Sequence, residues 1–315
     1  MLRDSPSLIP RSSSAILHAP AKFNACSGYF LVFLVPAFAS CACQQPKLIF
    51  WNMQRQSVDM LVHHVPQRDA DRLAQLKQTF LDLECRGDNL RERPAGEGAN
   101  LICTLPGTAA PGTKLETIVL TAHYEHEGPG MSAIDNWSGA MMLPFLYHAL
   151  SAVPRRHTFV FAEVDGEAGA KALHQSVPSV RAVIAFESLG LGPPCFYIHP
   201  NGSVPSYTAA MLKTALLQAA DEIGKPEPEA SIPGSWFRID DTRQYRYAGV
   251  AAILLHSVSS ETKHLPGSVN DTAERIDSDA YFGSYNLLCY YMVGLDQLPS
   301  KQQAPEQRLS SGRRR

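Results

Sequence analysis

Residues 117–125 read Thr-Ile-Val-Leu-Thr-Ala-His-Tyr-Glu. The first six are of strand length and continuous rather than alternating, the pattern of a strand covered on both faces. Similar apolar runs occur at 100–105, 158–162, 181–186, 195–198 and 250–255. Helical stretches lie between and around them. In 67–83, Ala70, Leu73, Leu76, Phe80 and Leu83 recur at helical spacing. Further helices are expected at 138–151, 206–223 and 279–295, with Gly224-Lys225-Pro226 stopping the second of these. This alternation predicts an α/β fold, a three-layer α/β/α domain with a mostly parallel mixed sheet.

The length of 315 residues allows one large domain or two small ones. Hydrophobic residues are 45% and charged residues 18%, which excludes a disordered chain, a collagen-like repeat and a disulfide mini-protein. The net charge of −2 argues against a nucleic-acid binder held by charge. Of that total, residues 1–40 carry +2 and 299–315 carry +4, so 41–298 carry −8 and form one mildly acidic core. The Gln-, Ser- and Arg-rich stretch 299–315 is expected to be a disordered basic tail.

Residues 28–39 are almost wholly apolar, too short for a membrane span of about 20 residues and suited to a secretory signal. Ala37-Phe38-Ala39 reads as a cleavage site for a leader over 1–40, and Cys41 opens a second possibility, lipoprotein processing. Phe38 is a poor fit to the aliphatic position that lipoprotein processing uses, and a buried element of the domain is the plain alternative. The expectation is export: periplasmic, outer-surface lipoprotein or secreted, with membrane contact only through a lipid on Cys41. Seven cysteines include no C-x-x-C pair, so a thiolate zinc site is not expected. Cys103, Cys195 and Cys289 sit in apolar runs and read as core residues. In an exported chain Cys85 and Cys103 are a possible disulfide that spacing leaves open.

In parallel sheets, ligand sites form outside the carboxyl ends of the strands. Here those ends carry histidines and carboxylates. His123 and Glu125 follow the 117–122 run, and Asp135 opens the helix after it. Glu163, Asp165 and Glu167 follow 158–162, and Glu187 follows 181–186. His256 ends 250–255, and His264 precedes Asp271-Thr272. His, Asp and Glu at successive strand ends are what a zinc-type site needs.

The ordered set His-Tyr-Glu, Asp-Asn-Trp-Ser-Gly, Asp-Gly-Glu, Glu-Ser-Leu-Gly, His and Asp-Thr resembles the co-catalytic zinc aminopeptidases, peptidase family M28, which also includes the glutaminyl cyclases. The resemblance spans about residues 60–297 and includes the twelve-residue spacing from His123 to Asp135. It implies His123, Asp135, Glu187 and His264 as metal ligands, Asp135 as the bridging carboxylate and Glu125 as the carboxylate that orients His123. It implies Glu167 as general base and a cis Asp135–Asn136 peptide. It also implies zinc, one ion tight and a second uncertain, and a peptide or small amide substrate with a free N-terminus. The implied activity is that of an exopeptidase of aminopeptidase type. A one-metal glutaminyl-cyclase-like acyltransferase is the enzyme alternative, and a catalytically silent binding protein on the same fold is the other.

Two departures bear on this. Where the family has two adjacent Glu, this chain has Glu167-Ala168, so a second ligand is missing, or Glu167 is the ligand and the base is vacant, with Glu163 as a substitute. The gap from His264 to Asp271 is also longer than the family's. Plainer readings stand beside each assignment. Asp135 can cap the following helix, Glu187 can pair with Arg181 or Arg238, Glu167 can merely start a helix, and His256 can compete with His264.

The leader reading has a direct check. N-terminal sequencing and intact mass of native protein should place the mature start at Ser40 or Cys41, outside the cytoplasm. A lipid mass on Cys41 selects the lipoprotein form, and an intact Met1 in the cytoplasm overturns export.

Overall fold

The computed structural model describes residues 52–108, 115–198, 206–231 and 241–299. The leader, its cleavage site, Cys26, Cys41, Cys43, Arg238 and the basic tail from residue 300 lie outside them. Two helices come first, α1 (Arg55–His63) and α2 (Asp69–Asp82), then a hairpin of β1 (Leu90–Ala95) and β2 (Gly98–Leu105). The chain continues through β3 (Thr117–His123), α3 (Ser138–Ser151), β4 (Thr158–Val164), α4 (Gly166–Ser176) and β5 (Val180–Phe186). It closes with β6 (Cys195–Tyr197), α5 (Ser206–Glu222), β7 (Glu229–Ala230), α6 (Arg243–Tyr247), β8 (Ala251–His256) and α7 (Ser278–Asp296).

The strands form one sheet in the order β1-β2-β4-β3-β5-β8-β6-β7. Its centre, β4-β3-β5-β8, is parallel throughout, and antiparallel pairs join β1 to β2, β2 to β4 and β6 to β8. The central strands are buried along nearly their whole length, as continuous apolar runs require. Alternate residues feed opposite layers. Ile118, Leu120, Phe159 and Phe161 pack into the large core with α1, α2, α3, α5 and α7. Val119, Val160, Ala162 and Val164 meet Ala170 and Leu173 of α4 and Tyr245 of α6 on the other face. The expected three layers are therefore present, with unequal outer layers. α1 and the polar outer strand β1 carried no sequence pattern strong enough to predict them.

α3 is buried on nearly every side, because it lies between the sheet and α7, and it accommodates Pro144 within its length. An interior proline costs about 3 kcal/mol of helix stability in isolation. Here the packing of Met141, Met142, Phe145 and Leu146 outweighs it. At the amino end of β4, Asp296 of α7 accepts the backbone N–H groups of Arg156 (2.9 Å) and His157 (2.8 Å). Burial pushes the Asp296 carboxyl up, and the hydrogen bonds from His157 and Arg156 more than reverse that. This contact fixes the last helix to the sheet at the end opposite His123.

Cys85, just after α2, and Cys103 in β2 form a disulfide with Cα atoms 6.4 Å apart. Cys103 is thus a bridge residue rather than a plain core cysteine, and Cys195 is only half-buried. Closing a loop of this size, a separation of 18 residues, removes unfolded-state entropy worth about 3 kcal/mol. Denaturant unfolding of a Cys85→Ala, Cys103→Ala double variant should show a loss near that figure. An unchanged midpoint would mean the bridge adds nothing beyond local packing.

Candidate functional site

The carboxyl ends of β3, β4, β5 and β8 lie side by side, and the segments that leave them carry the polar side chains. His123 is the last residue of β3 and is largely covered, its side chain 14% exposed. Asp135 stands in the turn Ala133–Trp137, where Asp135 and Asn136 have non-helical dihedrals and the peptide between them is cis. The Asn136 amide pins this turn to the end of β5. Its Nδ2 donates to the Phe186 carbonyl (2.8 Å), and its Oδ1 accepts from the Ser188 and Gly139 N–H groups (3.2 Å each). Gly139 is required there, since a Cβ would stand 2.3 Å from that Oδ1 and 2.6 Å from the Phe186 oxygen. The helix-capping role open to Asp135 is therefore taken by its neighbour Asn136. Asp135 instead faces His123, with Oδ1 3.3 Å from Nε2.

A second aspartate, Asp241, lies on the other side of the ring, Oδ1 3.9 Å from His123 Nδ1. Burial alone disfavours a charged His123. The hydrogen bond to Asp135 and the charges of Glu125 and Asp241 outweigh it, so the imidazole is held well above the ordinary histidine range. Sequence reading missed Asp241. Only its place two residues before α6 marks it, and its partner is 118 positions away in the chain.

Glu125 accepts the Gly166 N–H through Oε2 (3.0 Å) and acts on His123 by charge. Burial raises its carboxyl despite that nearby imidazole. Gly166 has φ +56°, and a Cβ there would meet Glu125 Oε1 at 2.7 Å. Glu187 is 5% exposed, and its two neighbours in the chain are the residues that bond Asn136. Arg181 is the second residue of the strand that Glu187 follows, about 20 Å away, with Glu116 at 3.9 Å, so a Glu187–Arg181 pair does not form.

Two expected residues, Glu167 and His264, are exposed. Glu167 is exposed on the first turn of α4 and pairs with Arg243 at 3.1 Å. His264 is exposed on the segment after β8, and no hydrogen bond or ion pair joins it to His123 or Asp135. His256 does not replace it. Its ring is buried, Nδ1 accepts the Val258 N–H (3.0 Å), Nε2 lies 2.6 Å from Ser231 Oγ, and burial lowers its pKa to about 4. Glu163 alternates with Phe159 and Phe161 on the large-core face of β4, whereas His123 has the opposite parity in the paired strand. Burial and the charge of Asp241 hold the Glu163 carboxyl well above the usual range. Ala168 faces the β1–β2 hairpin, its Cβ 3.2 Å from where a Gly96 Cβ would stand.

Two donors on one tetrahedral zinc stand about 3.4 Å apart, from bond lengths near 2.1 Å. The His123–Asp135 separation of 3.3 Å matches that, so the pair suits one ion. Among the described residues, no three His, Cys, Asp or Glu side chains converge closely enough to hold a metal.

The profile of peptidase family M28 matches residues 100–292. No curated protein sequence matches the chain. Among solved structures, it is similar to BSAP, a zinc aminopeptidase from Bacillus subtilis, at 16% identity and TM-score 0.52, covering 66% of this chain and 52% of that one. It is similar to LapA aminopeptidase of Legionella pneumophila at 16% identity and TM-score 0.58, covering 81% and 78%. It is also similar to the glutaminyl cyclase of Porphyromonas gingivalis at 16% identity and TM-score 0.59, covering 77% and 98%. At these identities the likeness is one of fold, and the chain spans about half the length of BSAP. The profile match covers well over half of the sequence, in the order of motifs that surrounds His123 and Asp135, and on it the chain belongs to peptidase family M28.

Proposed function

We propose that the chain is a zinc-dependent exopeptidase of aminopeptidase type, working with one tightly held ion. The observation that carries this is the His123–Asp135 pair at the sheet's carboxyl end, spaced as two donors on one zinc. Glu187, buried next to residues that bond Asn136, is the carboxylate proposed to complete the set. Zinc, when bound, supplies a Lewis acid for the substrate carbonyl and a water nucleophile near neutral pH. The other steps belong to side chains. Asp241 and Glu125 keep negative charge around His123. Glu167, at the rim, is the proposed base for the attacking water, once Arg243 releases it. His264 takes no part in this one-ion reading.

The same one-ion donor set supports the second reading, a glutaminyl-cyclase-like acyltransferase. Here Glu167 moves a proton from the attacking amine to the leaving ammonia. The substrates proposed are peptides or small amides with a free N-terminus. Export is part of the proposal, and the Cys85–Cys103 bridge favours it, since such bonds persist in oxidising compartments.

Metal analysis and two assays test these readings. After zinc loading and dialysis the chain should retain one ion, and His123→Ala should lose it. Hydrolysis of aminoacyl nitroanilides supports the peptidase, and ring closure of an N-terminal glutaminyl peptide supports the cyclase. Both activities should fall to background in His123→Ala. Ala168→Glu should leave the stoichiometry at one, because that position faces Gly96. No retained zinc in the unaltered chain would overturn the enzyme reading in favour of a silent binding protein.

A further inference from the structure

Arg72 of α2 has no exposed surface, although a guanidinium is costly to bury. Its donors reach the backbone of the segment that links His123 to Asp135. Nη1 donates to the carbonyls of Tyr124 (3.1 Å), Glu125 (3.4 Å) and Ser132 (3.4 Å), and Nη2 to that of Met131. Nε donates to the Pro66 carbonyl (2.9 Å), which anchors the fork to its own helix. The guanidinium also lies 5.8 Å from the Trp137 ring centroid, at the far end of the same turn. Five backbone oxygens and one ring thus take up every face of this side chain.

Asp271 grips the segment from the opposite side. Its Oδ1 accepts the Ile134 N–H (2.6 Å), and its Oδ2 accepts from Asp135 (3.2 Å) and Gly267 (2.8 Å). The cation therefore holds carbonyls at 124–132 while the anion holds amides at 134 and 135. The segment has no helix or strand of its own over 124–132, so these side chains meet its backbone polar groups. Asp135 can approach His123 only where this segment ends.

We infer that Arg72 is a positioning residue for the site, setting Asp135 against His123 through the backbone of 124–132 from a helix upstream of the matched 100–292 region. The inference deepens the zinc reading above and rests on His123 and Asp135 being the working pair. A planar fork is needed, because a lysine ammonium cannot reach four carbonyls spread over this segment.

The test uses the full chain in three forms: Arg72→Lys, Arg72→Ala and, as a control, Asp296→Asn at the opposite end of the sheet. Zinc affinity is read by chelator competition below each melting temperature. Arg72→Lys should bind zinc 10- to 100-fold more weakly, as loss of a ligand's supporting contact does. Asp296→Asn should stay within about twofold of the unaltered chain even where it is the less stable. Methylguanidinium should restore binding in Arg72→Ala, which a general loss of stability would not allow. The imidazole 1H–15N spectrum of the metal-free protein is the second readout. The His123 ring signals should move in Arg72→Lys and stay in place in Asp296→Asn. A chain that takes up no zinc but shows that His123 shift refutes the zinc reading and keeps the role of Arg72. A folded Arg72→Lys with unchanged zinc affinity and unchanged His123 signals overturns the inference.

Discussion

A segment without regular structure must still find partners for those of its backbone groups that are covered, and in this protein that constraint governs the site end. Residues 124–132 pass beneath α2 with no helix or strand to absorb their carbonyls. One guanidinium meets four of those carbonyls, and one carboxylate meets two amides of the turn that follows. Each partner comes from far along the chain, α2 on one side and residue 271 on the other. A side chain without donors would leave those oxygens unmet, at about 1–3 kcal/mol for each that is buried. The charges also balance. Burial lowers the Arg72 guanidinium, and Asp69, Asp271 and Glu125 partly restore it.

The same economy appears at Asn136. One amide joins the turn, the start of α3 and the end of β5, so that three elements of the sheet edge share a single polar hub. The position of Glu187 follows from that hub rather than from its own strand alone. The ordering contrasts with the rim, where Glu167 and Arg243 meet across solvent and an exposed pair of this kind is worth little.

The fold was largely legible because continuous apolar runs are local. Each central strand was visible at 117–122, 158–162, 181–186 and 250–255, and the longer helices α2, α3, α5 and α7 were expected. The short α6 was not, and α4 entered only as the plain alternative for Glu167. His123 and Asp135 were legible for a different reason, a fixed spacing across one turn. Glu167 and His264 were carried over on an assumed register. Ala168 lacks the second carboxylate of that register and the gap to Asp271 is long, and both Glu167 and His264 are exposed. Arg72 and Asp241 left no trace in the pattern. Backbone carbonyls and a distant ring are their partners, and neither imposes a sequence signature. β1 escaped notice because an outer strand with charged residues at 91–93 has no buried face to record.

That outer strand has a consequence for how molecules of this protein meet one another. A long parallel centre built of valine, isoleucine, leucine and phenylalanine would, if open at its sides, template further strands from neighbouring molecules. Here one margin ends in Arg91-Glu92-Arg93-Pro94, whose proline lacks a donor and whose charges repel a flat apolar partner. Among the described residues the other margin ends in a strand of two residues, Glu229–Ala230, which offers little edge to a neighbour. Edges of this kind oppose growth of the sheet by intermolecular pairing at the crowded concentrations at which proteins are made, and leave the hydrophobic strands to the fold they build.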